Sequence, residues 1–197
     1  MKIVTWNCNG AFRKKYKEIE KLDADIYVIQ ECENPEHTKG EYKSWADSCI
    51  WYGENKHKGL GVFSHKGVEI QRLDWQDNGL QLFLPVRVNN QFNLVAAWTK
   101  QANSPTFRYI GQLWKYLELH KVKMADDHTV LCGDLNSNKI WDVGERWWNH
   151  SDVVRELGEA KMKSLYHLAT GEEQGLESVP TFFHYRNLQK AYHIDFA

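Results

Sequence analysis

Three apolar, β-branched segments of this chain finish in amides or carboxylates. KIVTWNCNG ends in Asn7 and Asn9, DIYVIQE ends in Glu31, and TVLCGDLN ends in Asp134 and Asn136. Each begins as a strand suited to a sheet interior, which does not tolerate an unpaired polar group. Asn7 and Asn9, like Asp134 and Asn136, are spaced i, i+2, so each pair shares a face wherever strand geometry persists. Carboxylates and amides gathered at a sheet rim suit a hard divalent cation, which takes oxygen ligands, and a phosphate, which accepts amide N–H groups. Taken singly, Asn9-Gly10 reads as a turn and residues 134–138 as an Asx-rich loop. Glu31 is harder to explain by turn chemistry, because a carboxylate that closes an apolar strand needs a cationic partner, whether a metal or an Arg or Lys.

The elements that must position these groups follow from periodicity. Residues 2–8 and 25–30 read as buried strands, joined by an amphipathic helix over 12–22 with Phe12, Tyr16, Ile19 and Leu22 on one face. That order predicts a parallel crossover unit. Strands at 48–52, 59–64, 68–73, 80–88 and 91–98 predict an antiparallel meander with a hairpin turn at Asn89-Asn90. Ser104-Pro105 opens a second helix to about residue 122, with Phe107, Ile110, Trp114 and Leu117 at helical spacing. A strand at 129–132, a short helix capped by Ser151-Asp152, and strands at 180–186 and 192–197 complete the chain. Mixed strands with widely separated helices predict an α+β fold of two packed sheets covered by helices.

At 197 residues and 42% hydrophobic, the chain predicts a single domain over residues 1–197 with one substantial core. Lys and Arg number 25 against 26 Asp and Glu, so net charge supplies no attraction for a polyanion. Cys8, Cys32, Cys49 and Cys132 lack zinc-ligand spacing, and buried thiols in a reducing compartment are the expectation. No apolar run reaches membrane-spanning length, and Met1-Lys2 leads directly into a strand, so a soluble cytoplasmic protein without a membrane partner is expected. Arg13-Lys14-Lys15 reads as a solvated helix face. Trp147-Trp148 beside Arg146 reads as core packing before it reads as a stacking platform, and His184 and His193 read as satisfied strand histidines.

WNCNG, the strand ending in QE, GDLNSN and PTFFHYR…HIDF resemble, in order and over nearly the whole chain, the motifs of the endonuclease/exonuclease/phosphatase superfamily. The resemblance implies a four-layer αββα sandwich and Mg²⁺- or Mn²⁺-dependent hydrolysis of phosphate esters. It implies Glu31 as the main metal ligand with Asn9 beside it, Asn7 on the phosphate, Asp134 activating the water, and Asn136 donating to phosphate oxygens. Asp195, in HID, would orient a catalytic histidine. The family's Ser-Asp-His triplet follows some tens of residues later, and the sequence as given ends at Ala197 without it. His193, two positions before Asp195, is the candidate substitute, and truncation ahead of the triplet is a further reading. Trp98 ends the strand NLVAAW where relatives commonly carry His or Tyr facing the phosphate; tryptophan stacks on a ring but does not donate the same hydrogen bond. The expected substrate is nucleic acid or a smaller phosphodiester, and the competing reading is a non-catalytic nucleic-acid- or metal-binding module of the same fold.

Overall fold

Strand β2 (Ile26–Cys32) is apolar at nearly every position because both of its faces are buried. Ile26 and Val28 point into a core shared with Leu60, Val62, Leu84, Val86, Leu94, Ala96 and Cys132. Tyr27 and Ile29 point the other way, toward Phe12, Tyr16, Ile19, Tyr42 and Phe63. Each fully buried side chain of this size contributes roughly 1.5–3 kcal/mol relative to exposure.

The computed structural model describes residues 1–101, 104–126 and 128–197. The chain forms two compact units that interleave in sequence. One is built from Met1–Gln76, Leu82–Trp98 and Thr129–Gly133, the other from Asp77–Gln81, Thr99–His128 and Asp134–Ala197.

In the first unit β1 (Ile3–Asn7) pairs in parallel with β2, Ile3 opposite Ile26 and Asn7 opposite Gln30, as a crossover requires. β3 (Ser48–Asn55) and β4 (Lys58–Ser64) add antiparallel strands, giving the order β1-β2-β4-β3. The five-strand meander expected from the sequence is divided between the sheets: β3 and β4 pair in this one, and only β5 (Ile70–Arg72), β6 (Phe83–Val88) and β7 (Phe92–Trp98) form an antiparallel run in the other. Asn89 and Asn90 have φ of 47° and 57°, the left-handed pair that a tight hairpin turn demands. The helix expected over 12–22 is split into a 3-10 turn at Phe12–Lys14 and α1 (Tyr16–Glu20). Lys15 breaks it with non-helical backbone while its ammonium serves the carbonyls of Cys8 and Gly10, and Leu22 is exposed rather than buried. Cys8, Cys32 and Cys132 are buried free thiols; burial pushes Cys132 up to about 12.

β8 (Thr129–Asp134) leads into the second unit, which holds α2 (Ile110–Asp126), α3 (His150–Glu159) and α4 (Leu165–Thr170). It also holds β9 (Phe182–Phe183), β10 (Ala191–Tyr192) and β11 (Asp195–Phe196). The second sheet has the order β11-β8-β7-β6-β5. Three expectations are corrected here. α2 begins at Ile110, because Ser104 Oγ accepts the Phe107 N–H in a local turn and Tyr109 then adopts φ 51°. α3 is capped by Asn149, which forms a capping box with Asp152, rather than by Ser151. The strand expected at 180–186 stops after Phe183 because Tyr185 and Arg186 have φ of 53° and 56°; α4 was not expected. Lys121 on α2 ties to α3 through Glu159 at 2.8 Å and through Glu156. Among the described residues no helix is long and apolar enough to cross a membrane.

Candidate functional site

Glu31 occupies a β-bulge. Gln30 pairs with Leu60 and Cys32 with Gly59, so Glu31 is the extra residue, with φ 63°. A β-substituted residue in the left-handed region costs roughly 1–2 kcal/mol, and bulges commonly re-aim a side chain at a functional rim. The Glu31 carboxylate accepts from Asn7 Nδ2 at 3.2 Å and lies 2.7 Å from Lys58 Nζ. The same ammonium sits 5.7 Å from the centroid of the Trp98 ring. Trp98 is 6% exposed and part of the core, so its ring is a support for Lys58 rather than an open platform. One residue earlier, buried Gln30 stitches β2 to β1 through Nε2 and Thr5 Oγ1 at 2.9 Å.

Asn7 ends β1 and turns the chain, its Oδ1 accepting the Asn9 N–H at 3.0 Å. Asn9, Gly10 and Ala11 all have positive φ, so strand alternation stops at Asn7 and the expected shared face of Asn7 and Asn9 is lost. Asn9 is exposed and supplies a backbone N–H. The basic run is not a free solvated face: Lys15 holds this loop, and Arg13 pairs with the buried carboxylate of Glu33.

In the second unit the Asp134/Asn136 pair repeats the device. Asp134, 2% exposed, accepts the Asn136 N–H on Oδ1 at 2.8 Å and Asn136 Nδ2 on Oδ2 at 3.0 Å. Nδ2 also donates to Thr99 O at 2.8 Å, and Asn136 has φ 45°. A turn, not a strand face, brings this pair together. The remainder of GDLNSN is bound down. Leu135 N donates to Ile194 O at 2.9 Å, and Asn138 Nδ2 to His193 O at 3.0 Å and Glu177 Oε2 at 2.9 Å. Ser137 Oγ meets His150 Nδ1 at 3.2 Å.

His193 is buried, with Nδ1 2.8 Å from Val179 O and its ring 4.4 Å from that of Tyr166. Nε2 has no hydrogen-bond partner among the described residues, and the same holds for the buried Oδ1 of Asp195. Burial holds the Asp195 carboxyl above the usual carboxylate value, with the Thr181 side chain and His193 partly offsetting it. Thr181 Oγ1 also accepts the N–H groups of Ile194 and Asp195, at 3.0 and 3.1 Å.

Of the expected residues, Asn7, Asn9, Glu31 and Trp98 belong to the first unit and Asp134, Asn136, His193 and Asp195 to the second. Sequence reasoning missed Lys58 and Thr181. The β2–β4 register that sets Gly59 opposite Cys32 brings Lys58 to Glu31, and no local motif announces it. Among the described residues no three His, Cys, Asp or Glu side chains converge as a metal cage. One carboxylate beside an amide nevertheless fits Mg²⁺ or Mn²⁺, which keep several waters and use one or two carboxylates. That an ammonium already lies against Glu31 shows that the position accepts a cation.

Solved structures share this fold at low identity. A 3′-5′ exonuclease from Neisseria meningitidis matches with a TM-score of 0.72 at 20% identity, covering 100% of this chain and 85% of that one. A 3′ phosphatase from Neisseria bound to a product DNA hairpin matches at 0.70 and 20%, with 100% and 85% coverage. An AP endonuclease from Archaeoglobus fulgidus matches at 0.68 and 16%, again with 100% and 85% coverage. No curated protein matches the chain. The model of the Endonuclease/Exonuclease/phosphatase family matches residues 4–197. With the bulged Glu31, the GDLNSN turn and the two mixed sheets in place, the chain belongs to that family.

Proposed function

We propose that the chain is a divalent-cation-dependent phosphoesterase that hydrolyses phosphodiester bonds in nucleic acid. The observation that carries this reading is the Glu31 carboxylate, held on a left-handed bulge residue against an amide and a cation. Glu31 would hold the Mg²⁺ or Mn²⁺, with Asn9 contributing through a bound water. When bound, the ion polarises a phosphoryl oxygen and stabilises charge on the leaving group. Asn7 would donate to a phosphate oxygen, adding no negative charge beside an anion. Asp134, its side chain fixed by the Asn136 turn, would accept the proton of the attacking water, and Asn136 would exchange its bond to Asp134 or Thr99 for one to phosphate. Asp195 and His193 would complete the acid/base set, His193 through Nε2, since Nδ1 is held by Val179. Trp98 acts through Lys58. Four free thiols favour a reducing compartment, and the cytoplasm is the location proposed.

The exonuclease and endonuclease among the similar structures, and the 3′ phosphatase bound to a product DNA hairpin, support a nucleic-acid substrate. A formal net charge of −1 favours a second reading, a small phosphodiester substrate. A salt titration separates them. Nicking of supercoiled plasmid by the 197-residue chain should need Mg²⁺, stop with EDTA or Glu31→Ala, and weaken steeply between 50 and 200 mM salt, roughly as polyanion binding does. Turnover of a small phosphodiester that is insensitive to salt, with no nicking, would favour the second reading.

A further inference from the structure

Lys58 enters the reading above only as the group that Trp98 supports, yet its ammonium is 2.7 Å from the carboxylate oxygen that a divalent cation would need. It is not a flexible surface lysine that happens to reach there. It opens β4, and the next residue, Gly59, is packed so closely that a Cβ would lie 2.3 Å from the Trp51 ring and 2.5 Å from Tyr52 O. The backbone beneath Lys58 is therefore fixed, and Trp98 supports the ammonium from one side at 5.7 Å. The side chain is still 49% exposed while that of Glu31 is 14% exposed, so the lysine can leave toward water without opening the core.

We propose that Lys58 is a built-in competitor for the divalent cation at Glu31: it neutralises the carboxylate while the metal is absent and is displaced onto substrate phosphate when the metal arrives. This rests on the reading of Glu31 as the metal ligand. The charge balance supports it. Glu31 and Lys58 cancel one another, so the metal-free cluster neither carries an uncompensated partly buried carboxylate nor attracts phosphate strongly. Adding a divalent cation leaves a surplus of positive charge in the cluster, with the ammonium released beside the Trp98 ring, and that surplus suits a phosphate anion. Substrate affinity is thereby coupled to metal occupancy without a change in the backbone. Asn7 is on the other carboxylate oxygen, so the exchange at Lys58 leaves its hydrogen bond free to persist.

Mn²⁺ binding to the full 197-residue chain, read from loss of the free-ion electron paramagnetic resonance signal, tests this directly. Lys58→Met should bind Mn²⁺ about 3- to 10-fold more tightly, the range expected for removing a half-exposed ion pair. Lys58→Arg, which keeps the competing charge, should bind no more tightly than the parent. Binding that is unchanged or weaker in Lys58→Met, while Glu31→Gln loses it, would overturn the competition and leave the metal site intact. Unchanged binding in Glu31→Gln would instead remove the metal reading on which the proposal rests. If Lys58→Met does not fold, reductive methylation of the parent decides: Mg²⁺ should speed modification of Lys58, and an unchanged rate would contradict its release.

Discussion

Glu31 combines an unfavourable backbone with a side chain proposed to hold the metal, and the two can be separated by substitution. Glu31→Gly relieves the positive φ and should melt no lower than the parent, with roughly 1 kcal/mol of backbone relief offsetting the lost ion pair. Metal-dependent turnover should nevertheless fall by ~10² to 10⁴. Thermal denaturation beside a rate assay checks both; a variant that is destabilised by several kcal/mol would make Glu31 a structural residue. Asp195 makes a parallel case. Because its folded pKa is raised by burial, its favourable contribution is complete below the ordinary value of 3.8 and is lost as pH rises through the folded value. At neutral pH the ionised carboxylate therefore opposes folding. Asp195→Asn should raise the melting temperature at pH 7 by on the order of 2 °C and lose that advantage in acid, while turnover drops. A lower melting temperature at pH 7 would show that the carboxylate is paired in solution.

Strand β8 depends on a single residue for its close approach to β7. Gly133 has φ 146°, and a Cβ there would stand 1.8 Å from the carbonyl oxygen of Ala97. Gly133→Ala should cost about 3 kcal/mol or more, as overpacking against backbone leaves nothing to rotate away; denaturant unfolding measures it. The same substitution at Gly144, where nothing lies within 4 Å, is the control and should change little. Strand β2 was legible in the sequence because burial on both faces leaves a nearly continuous apolar run, and the hairpin because Asn89-Asn90 tolerates left-handed backbone; β1, expected to be buried, is instead an edge strand half-buried along its length. The helix limits at 12–22 and at Ser104-Pro105 were not. Lys15 and Tyr109 leave helical geometry for local reasons, a loop to be held and a turn to be closed, that periodicity does not carry. Asn7 meets Asn9, and Asp134 meets Asn136, through turns rather than through the shared strand faces expected from the i, i+2 spacing. Lys58 was invisible because its partner is set by strand register.

For the chain as a whole, two histidines that resist protonation in the folded state should make stability fall in acid. His150 lies between Ser137 Oγ and Gln174 Oε1, and burial holds it below the ordinary value of 6.5, as it does His65. A depressed folded pKa means that stability is complete above 6.5 and is lost as pH falls from there through the folded value, because the unfolded chain takes up protons that the native one refuses. His150→Gln, which keeps a neutral hydrogen-bonding group, should flatten that decline; an unchanged slope would assign it elsewhere. With a formal charge of −1, the molecule as a whole brings no strong field to a phosphate, so the proposed function needs its attraction to be local, at the metal-loaded Glu31 cluster. The most direct measurement is therefore hydrolysis of a 3′-end-labelled DNA hairpin and of bis(p-nitrophenyl) phosphate by the 197-residue chain and by Glu31→Gln, each across a Mg²⁺ and Mn²⁺ titration. The account predicts turnover of at least one substrate that rises with metal and is abolished in Glu31→Gln. Turnover that is independent of metal, or that survives in Glu31→Gln, would contradict it.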